Sequence, residues 1–179
     1  YLGAVVGKSV TLELGPVLTA LVVGGRVSAA IAAEIGTMKV TEQVDAMEMI
    51  AIDPVEYLVL PRIAAAILML PVLTVFSDFL AIIGGMVVAK ISLGVSVNVF
   101  ESGLRLLFKY QDLVGGLIKT FFFGFIIALM GCYYGFATKG GAEGVGMATM
   151  KAVVASCLLI LIANYLLAFL IFKIIFGPG

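Results

Sequence analysis

Four apolar stretches, each long enough to cross a lipid bilayer, dominate this sequence. They cover about residues 14–33, 63–89, 113–136 and 152–176. A helix needs about 20 apolar residues to span the roughly 30 Å hydrocarbon core. Within that core every backbone amide and carbonyl must bond inside the protein, which leaves helices and closed barrels as spanning structures. Apolar runs of this length predict an all-α, polytopic transmembrane bundle, which we expect to be a single transmembrane domain over residues 1–179.

The composition agrees with a membrane protein and narrows its chemistry. Of the 179 residues, 63% are hydrophobic and 12% are charged, whereas about a quarter of a soluble domain is charged. The formal net charge is zero, so no basic field points to nucleic acid. The chain has no histidine and two cysteines, Cys132 and Cys157, both within apolar runs. We therefore expect buried free thiols, no metal site and no catalytic residues.

The first residues of the chain do not form a span by themselves. Tyr1 is not an initiating methionine, and residues 1–12 are too short to cross a bilayer, so we expect the natural chain to begin upstream. Residues 3–9, GAVVGKS, resemble a phosphate-binding loop, but three residues rather than four separate the glycines and no strand precedes them. ATP, if used, is therefore expected to bind a partner.

A polar segment, residues 34–62, interrupts the apolar sequence between the first two stretches, and we call it the acidic island. Its sequence is EIGTMKVTEQVDAMEMIAIDPVEYLVLPR. It contains two basic residues, Lys39 and Arg62, and six acidic ones: Glu34, Glu42, Asp45, Glu48, Asp53 and Glu56. A solvated loop would explain the charges alone, and a calcium site does not match their spacing. A surface that docks a soluble partner explains the charges together with the helical pattern described next.

The acidic island carries two helix signals. One helical face would hold Val40, Val44, Met47 and Ala51, and another would hold Glu42, Asp45 and Glu48. Residues 53–56 read as a capping box, with Asp53 as N-cap, Pro54 at the first helical position and Glu56 reaching back to the cap. These signals predict two short helices joined by a turn.

Several polar residues fall within or beside the apolar stretches. An arginine at membrane depth is costly unless it is paired or meets water, so Arg26 is expected to point into the bundle, either pairing with a carboxylate or lining a polar path. Lys119 lies near a span end, where snorkelling to the interface is favoured. Asp78 is deeper and the only good candidate for a proton relay, while Asn164 is expected to bond between helices.

Small residues predict where helices approach closely. Gly25, Ala29 and Ala33 recur every four residues in the first span, and Gly131 and Gly135 form a GxxxG pair in the third. Residues 90–112 suggest an amphipathic interfacial helix. Residues 137–151, ATKGGAEGVGMATMK, are expected to be a glycine-rich connector between the third and fourth spans.

Three segments of the chain resemble the MlaE/YrbE permeases, which are the membrane subunits of ABC transporters that work with MCE-domain proteins. They are residues 12–62, which include LELGPVLTALVVGGRVSAAIAAEIGTMKVTEQVDAMEMIAIDPVEYLVLPR, residues 112–124, DLVGGLIKTFFFG, and residues 140–156, GGAEGVGMATMKAVVAS. Members of this family typically have a further N-terminal interfacial helix and one more span. Relatives commonly carry an acidic residue where Asn164 stands, and some carry a basic one where Leu12 precedes Glu13.

The resemblance implies a homodimeric permease in the bacterial inner membrane. It implies two cytoplasmic ATPase subunits that hold ATP and magnesium, an MCE-domain assembly across the membrane, often a STAS-domain protein, and phospholipids or related hydrophobic molecules as substrate. Glu13 and Arg26 become candidates for the polar rim of a lipid path. The ATPase-coupling candidates are Glu34, Glu42, Asp45, Glu48, Asp53, Pro54, Glu56 and Arg62.

The side of the membrane on which the acidic island lies and the functional class of the protein both have more than one interpretation. If residues 34–62 and 137–151 share a side, that side holds fewer basic residues than the other, so the positive-inside rule weakly places the acidic island outside, whereas the resemblance places it in the cytoplasm. An ion-coupled secondary transporter or a non-transporting membrane scaffold are the other classes. Neither accounts for the acidic island as well as a transporter driven by an ATPase.

Overall fold

The computed structural model describes residues 2–107 and 110–175, and every regular element in these ranges is helical. The helices are α1 (Leu2–Ser9), α2 (Gly15–Val40), α3 (Gln43–Met49), α4 (Leu60–Leu93), α5 (Val97–Leu107), α6 (Tyr110–Phe136) and α7 (Gly141–Ile175). Two π-helical turns, Val10–Leu14 and Val55–Val59, lead directly into α2 and α4. The predicted all-α transmembrane fold is confirmed.

Four helical segments in the described part of the chain are long and apolar enough to cross a membrane. They are Gly3–Val40, Val55–Ser92, Gln111–Phe136 and Gly141–Ile171. Each overlaps one predicted stretch, but the first two contain 38 residues each and are about 57 Å long, nearly twice the hydrocarbon thickness. The residues before Glu13 are therefore part of the first spanning helix rather than a separate short segment.

Helix α2 lies at the centre of the bundle, against α4, α6 and α7. Its buried face packs with Leu70 of α4, Phe123 and Ile127 of α6 and Ile160 of α7. Close to the acidic island, Ile31 and Ile35 of α2 pack on Ala128 and Cys132 of α6. Cys132 is the buried free thiol that was expected, whereas Cys157 is only half-buried.

The GxxxG pair of α6 is used as predicted. A Cβ added to Gly131 or Gly135 would lie 2.9 or 2.8 Å from the Cβ atom of Ile31 or Ile35, so these glycines allow α2 and α6 to touch. The small-residue row predicted in α2 is half-buried, and a Cβ added to Gly25 would lie 3.9 Å from Val153 Cγ1 of α7. The buried small residues there are Gly24, Ser28 and Ala32 rather than Gly25, Ala29 and Ala33. Both rows are small, so their composition does not reveal which one is the more buried.

The acidic island contains one short helix, not two. Helix α2 continues through residues 34–40, a turn with Glu42 at φ +61° follows, and α3 begins at Gln43; the end of α2, this turn and α3 are called the acidic hairpin. Ala51, at φ +60°, ends this hairpin, and the second spanning helix starts at Pro54. The Val55 amide donates to Asp53 Oδ1 at 2.8 Å, so Asp53 caps a spanning helix. Among the described residues, Glu56 makes no hydrogen bond back to the amide of Asp53.

The two other connectors differ in how well they were predicted. An amphipathic helix, α5, does form within residues 90–112, and its Phe100 and Gly103 are buried against α1. The prediction of a glycine-rich connector over residues 137–151 was wrong, because the loop ends at Gly140 and residues 141–151 form the first three turns of α7. Glycine lowers helix propensity by about 1 kcal/mol per residue. Packing of Ala148 and Ala152, both buried, offsets that cost.

Candidate functional site

A proline near the start of α2 opens a polar position inside the bundle. Pro16 has no amide hydrogen, so it cannot bond the carbonyl of Leu12 four residues earlier. The chain forms a π turn over Val10–Leu14 at this place, closed by a bond from the Gly15 amide to the carbonyl of Val10. The Leu12 carbonyl is then free to accept from Lys119 Nζ of α6, at 3.1 Å.

Glu13, Lys119 and Asn164 form a polar cluster that joins three helical segments. Lys119 Nζ donates to Glu13 Oε1 at 2.6 Å, and Asn164 Nδ2 of α7 donates to the other oxygen, Oε2, at 3.1 Å. The Lys119 side chain is 1% exposed, while that of Glu13 is 43% exposed. The ammonium is therefore buried against the carboxylate, and the carboxylate has one side open.

The snorkelling expected for Lys119 was wrong. Its side chain turns into the bundle because the two acceptors there, Leu12 O and Glu13 Oε1, compensate an ammonium that is removed from water. Asn164 bonds between helices as predicted. The sequence signal for this cluster was the proline three residues after Glu13, because it leaves a carbonyl without its helical donor.

Asp78 is another ionisable residue buried among the spans. It lies on α4, is 8% exposed, and its Oδ1 has no hydrogen-bond partner among the described residues. This oxygen lies against Gly15 of α2, where any Cβ would overlap it. Thr19, one helical turn further along α2, also has a buried hydroxyl without a partner. The Asp78 carboxyl is separate from the cluster of Glu13, because Glu13 and Gly15 point to different sides of their helix.

A third charged contact was not predicted. Lys8 Nζ of α1 lies 4.0 Å from Oδ2 of Asp112, which is fully buried at the start of α6. It ties the N-terminal helix to the third span at the end of the bundle far from the acidic island. Asp112 lies in the first turn of α6, where a carboxylate is stabilised by the helix dipole.

Arg26 does not point into the bundle, contrary to the prediction. It is exposed on the outer face of α2 and forms no ion pair within the described residues. Each helical residue turns the chain by about 100°, so Arg26 lies about 200° from the buried residues Gly24 and Ser28. It belongs to an exposed row one turn apart along α2: Leu14, Leu18, Val22, Arg26, Ala30 and Glu34.

Two ion pairs clamp the acidic island to the spanning helices. Arg62 Nη2 of α4 lies 2.9 Å from Glu34 Oε1 of α2, and Arg62 Nη1 also donates to the Leu58 carbonyl at 2.8 Å. Lys39 Nζ near the end of α2 donates to Asp45 Oδ1 of α3 at 2.6 Å. Val44 is the buried residue of α3. The short helix is thus fixed to α2, and α2 is fixed to α4.

The outward surface of the acidic island combines exposed apolar and acidic side chains. Met49 is 88% exposed, and Ile50 and Tyr57 are 68% and 64% exposed. The carboxylates of Glu42, Glu48, Asp53 and Glu56 are exposed around them and form no ion pairs among the described residues. Of the eight predicted coupling residues, Glu34, Arg62 and Asp45 thus form the clamp, Asp53 caps a helix, Pro54 is buried, and Glu42, Glu48 and Glu56 remain on the surface.

An apolar cavity of about 260 Å³ lies between α2, α4 and α6. Val27 of α2, Leu70 and Leu73 of α4 and Gly124 of α6 are among its lining residues, and Arg62 lies at its border. Gly124 also brings α6 onto α4, because a Cβ there would be 2.6 Å from the Ala66 carbonyl oxygen. The cavity can accept an apolar chain and offers it almost no polar partner.

Four membrane-length helices around a buried ionic cluster, with an acidic hairpin clamped to two of them, define a multi-pass helical membrane protein. Comparisons with known proteins identify which family of membrane proteins it belongs to. The family model described as Permease MlaE matches residues 1–170, and the chain belongs to this family of ABC transporter permeases.

Individual relatives agree with this assignment. The chain is 47% identical over 173 residues to a probable ABC transporter permease of Rickettsia typhi, covering 97% of the chain and 67% of that protein. It is 46% identical over 172 residues to one of Synechocystis, covering 96% of the chain and 65% of that protein. The Arabidopsis thaliana protein TRIGALACTOSYLDIACYLGLYCEROL 1, chloroplastic, is 37% identical over 172 residues, covering 96% of the chain and 49% of that protein. The chain therefore spans half to two thirds of these relatives.

Proposed function

We propose that this chain is the membrane subunit of an ABC transporter that moves phospholipids or related hydrophobic molecules between the bacterial inner membrane and the outer envelope. ATP and magnesium would bind a cytoplasmic partner ATPase, and this chain would hold no cofactor. It would work as a homodimer with an MCE-domain protein and, in some assemblies, a STAS-domain protein. Family membership supports the ATPase partner. The homodimer, the MCE-domain protein and the STAS-domain protein are further parts of the proposal.

The observation that carries the proposal is the clamped acidic hairpin. A force on α3 reaches α2 through the Lys39–Asp45 pair and reaches α4 through the Glu34–Arg62 pair. The acidic island, to which the hairpin belongs, is also exposed on its outward side. Its surface of exposed Met49, Ile50 and Tyr57 within a ring of carboxylates suits a partner that has an apolar pocket with a basic rim.

A hydrophobic substrate is supported by two features. The apolar cavity between α2, α4 and α6 has room for part of an acyl chain and almost no polar lining. The Arabidopsis relative is named after a diacylglycerol glycolipid. An ion-coupled secondary transporter would instead need a path of titratable groups, and Asp78 is separated from the Glu13 cluster by the α2 backbone.

The exposed row on α2 is proposed as the wall of the lipid path between two protomers. It is apolar over Leu14, Leu18 and Val22 and carries one cation, Arg26, which needs an anionic or aqueous partner at membrane depth. A lipid headgroup between the protomers would provide that partner. Glu13 lies beside this row with one side of its carboxylate open, so both candidates remain at the polar rim of the path.

In this mechanism the permease performs no chemical step. Closure of the two ATPase subunits on ATP would move both hairpins, and the clamps would transmit the movement to α2 and α4. The protomers would then rotate about their shared interface, and a lipid held between them would lose its pocket and leave toward the MCE protein. The acidic island is cytoplasmic in this arrangement, against the weak charge count.

The docking assignment is tested by reversing exposed charges that form no ion pair among the described residues. Glu42→Lys together with Glu48→Lys should lower co-purification of the ATPase by about tenfold or more, because the new lysines would face the basic rim proposed for the partner. Neither carboxylate forms an ion pair within the described chain, so the fold should be kept. Glu101→Lys, on α5 at the opposite end of the bundle, is the charge-reversal control; it breaks the local pair with Arg105 and should still leave co-purification unchanged. Association of the double variant at the wild-type level would contradict docking at the acidic island.

Transport itself separates the three functional classes. Proteoliposomes containing the complete complex should move fluorescent phospholipid only when ATP is supplied. The Glu42→Lys, Glu48→Lys variant should not move phospholipid when ATP is supplied. Lipid movement by the permease alone under an ion gradient would favour the secondary transporter. A complex that binds the ATPase but never moves lipid would favour the scaffold.

A further inference from the structure

A cleft of about 480 Å³, lined by both polar and apolar side chains, lies at the acidic-island end of α6 and α7, away from the cluster of Glu13. Its walls come from the last turns of α6, the turn over residues 137–140 and the first turns of α7. Thr138, one of its lining residues, contacts Gly36 of α2, which places the cleft on the same side of the membrane as the acidic island. None of the roles proposed above uses this cleft.

The cleft collects the unpaired positive charge on this side of the bundle. Lys39 and Arg62 are bound to Asp45 and Glu34. Lys139 and Lys151, in contrast, both line the cleft and are exposed, and neither forms an ion pair with a described residue. Glu143 lines the cleft as well, beyond 4.0 Å from either lysine nitrogen, so the three side chains together carry a charge of +1.

An apolar groove continues from the cleft along the outside of the bundle. This groove, of about 350 Å³, shares Tyr134, Met147 and Lys151 with the cleft and extends to Val154 and Leu158 of α7. Met147 to Leu158 covers about 16 Å of helix, which is roughly one leaflet of the hydrocarbon core. Tyrosines concentrate where a membrane meets water, and Tyr134 lies where the cleft passes into the apolar groove.

We propose that the cleft and groove bind one anionic phospholipid from the leaflet on the acidic-island side. Lys139 and Lys151 would hold its phosphate, and an acyl chain would lie along Val154 and Leu158. Free phosphate would use the lysines but not the groove, and a zwitterionic lipid would gain little from the net positive charge. The site depends on the chain being in a membrane, not on the proposed ATPase or substrate.

The binding site is tested with a fluorescent reporter placed in the groove. These 179 residues contain no tryptophan, so Leu158→Trp adds a reporter, with any tryptophan elsewhere in the full-length protein replaced by phenylalanine. The purified protein is reconstituted into vesicles of phosphatidylcholine and phosphatidylglycerol, one of which carries brominated chains that quench tryptophan. The ratio of quenching by the two brominated lipids measures the local preference for the anionic one.

A lysine near an anionic headgroup contributes a factor of about five. The net charge of +1 therefore predicts about fivefold enrichment of phosphatidylglycerol at Leu158→Trp. Phe79→Trp, at an exposed position of α4, should show a ratio near one. Adding Lys151→Gln to the reporter should bring its ratio near one, and adding Glu143→Gln should raise it to about 25. Lys90→Gln, at an exposed lysine of α4, should have no effect.

Three results would overturn the proposal. The first is a ratio near one at Leu158→Trp in the otherwise unchanged protein. The second is a raised ratio that Lys151→Gln and Glu143→Gln leave unaltered. The third is loss of the enrichment when millimolar glycerol phosphate is added, which would show that the lysines hold a phosphate without the lipid. None of these depends on ATP-driven transport, so failure here and failure of the proposed function are distinguishable.

Discussion

Replacing Glu13 with leucine should destabilise the protein more than replacing Lys119 with methionine, although the two side chains form one ion pair. The reason is their unequal exposure, 43% for the Glu13 side chain and 1% for that of Lys119. Glu13→Leu leaves a fully buried ammonium whose remaining acceptor is the Leu12 carbonyl. Lys119→Met leaves a carboxylate that water can reach and that still accepts from Asn164.

The magnitudes follow from that geometry. Removing one partner of a buried ion pair costs about 3–5 kcal/mol, which we expect for Glu13→Leu because the neutral Leu12 carbonyl is then the acceptor left to the ammonium among the described residues. Solvent screening reduces the cost for Lys119→Met to about 1–3 kcal/mol, including the hydrogen bond lost by the Leu12 carbonyl. The double variant buries no charge, so it should be about 2 kcal/mol more stable than Glu13→Leu alone.

The assay is unfolding of the purified protein in mixed detergent micelles by increasing sodium dodecyl sulfate, followed by helical circular dichroism. Lys90→Met, the same substitution at an exposed lysine, should change the free energy of unfolding by less than about 0.5 kcal/mol. The reasoning is refuted if Lys119→Met costs as much as Glu13→Leu. It is also refuted if the two single effects add within about 0.5 kcal/mol in the double variant.

Two further substitutions test other contacts. Gly15→Ala should destabilise the bundle by about 1–3 kcal/mol, because its Cβ would overlap Asp78 Oδ1, and Asp78→Ala should recover part of the loss. Gly84→Ala, with nothing within 4 Å of the added Cβ, should instead leave the thermal midpoint unchanged or raise it. Asn164→Leu should cost only about 0.6–1.7 kcal/mol in the same unfolding assay, since Glu13 keeps its bond to Lys119; a loss comparable to that of Glu13→Leu would show that Asn164 holds the cluster together.

Local chemistry determined a large part of this protein. Apolar runs of more than 20 residues have few stable alternatives to helices in a membrane, so the number of spans and their approximate positions followed from hydropathy. Asp53 followed by Pro54 predicted a helix start, because a cap acts only on the next two or three amides. The GxxxG pair at Gly131 and Gly135 likewise predicted a close helix contact.

Tertiary structure decided which side chains face one another. Spanning helices are apolar all round, so periodicity does not show which face of α2 is buried, and Arg26 was expected on the wrong one. The burial of Lys119 depends on acceptors more than 100 residues away in sequence. Residues 141–151 are helical because α7 packs on its neighbours, against the preference of their glycines. Each of these outcomes depends on contacts between helices, which local sequence patterns do not specify.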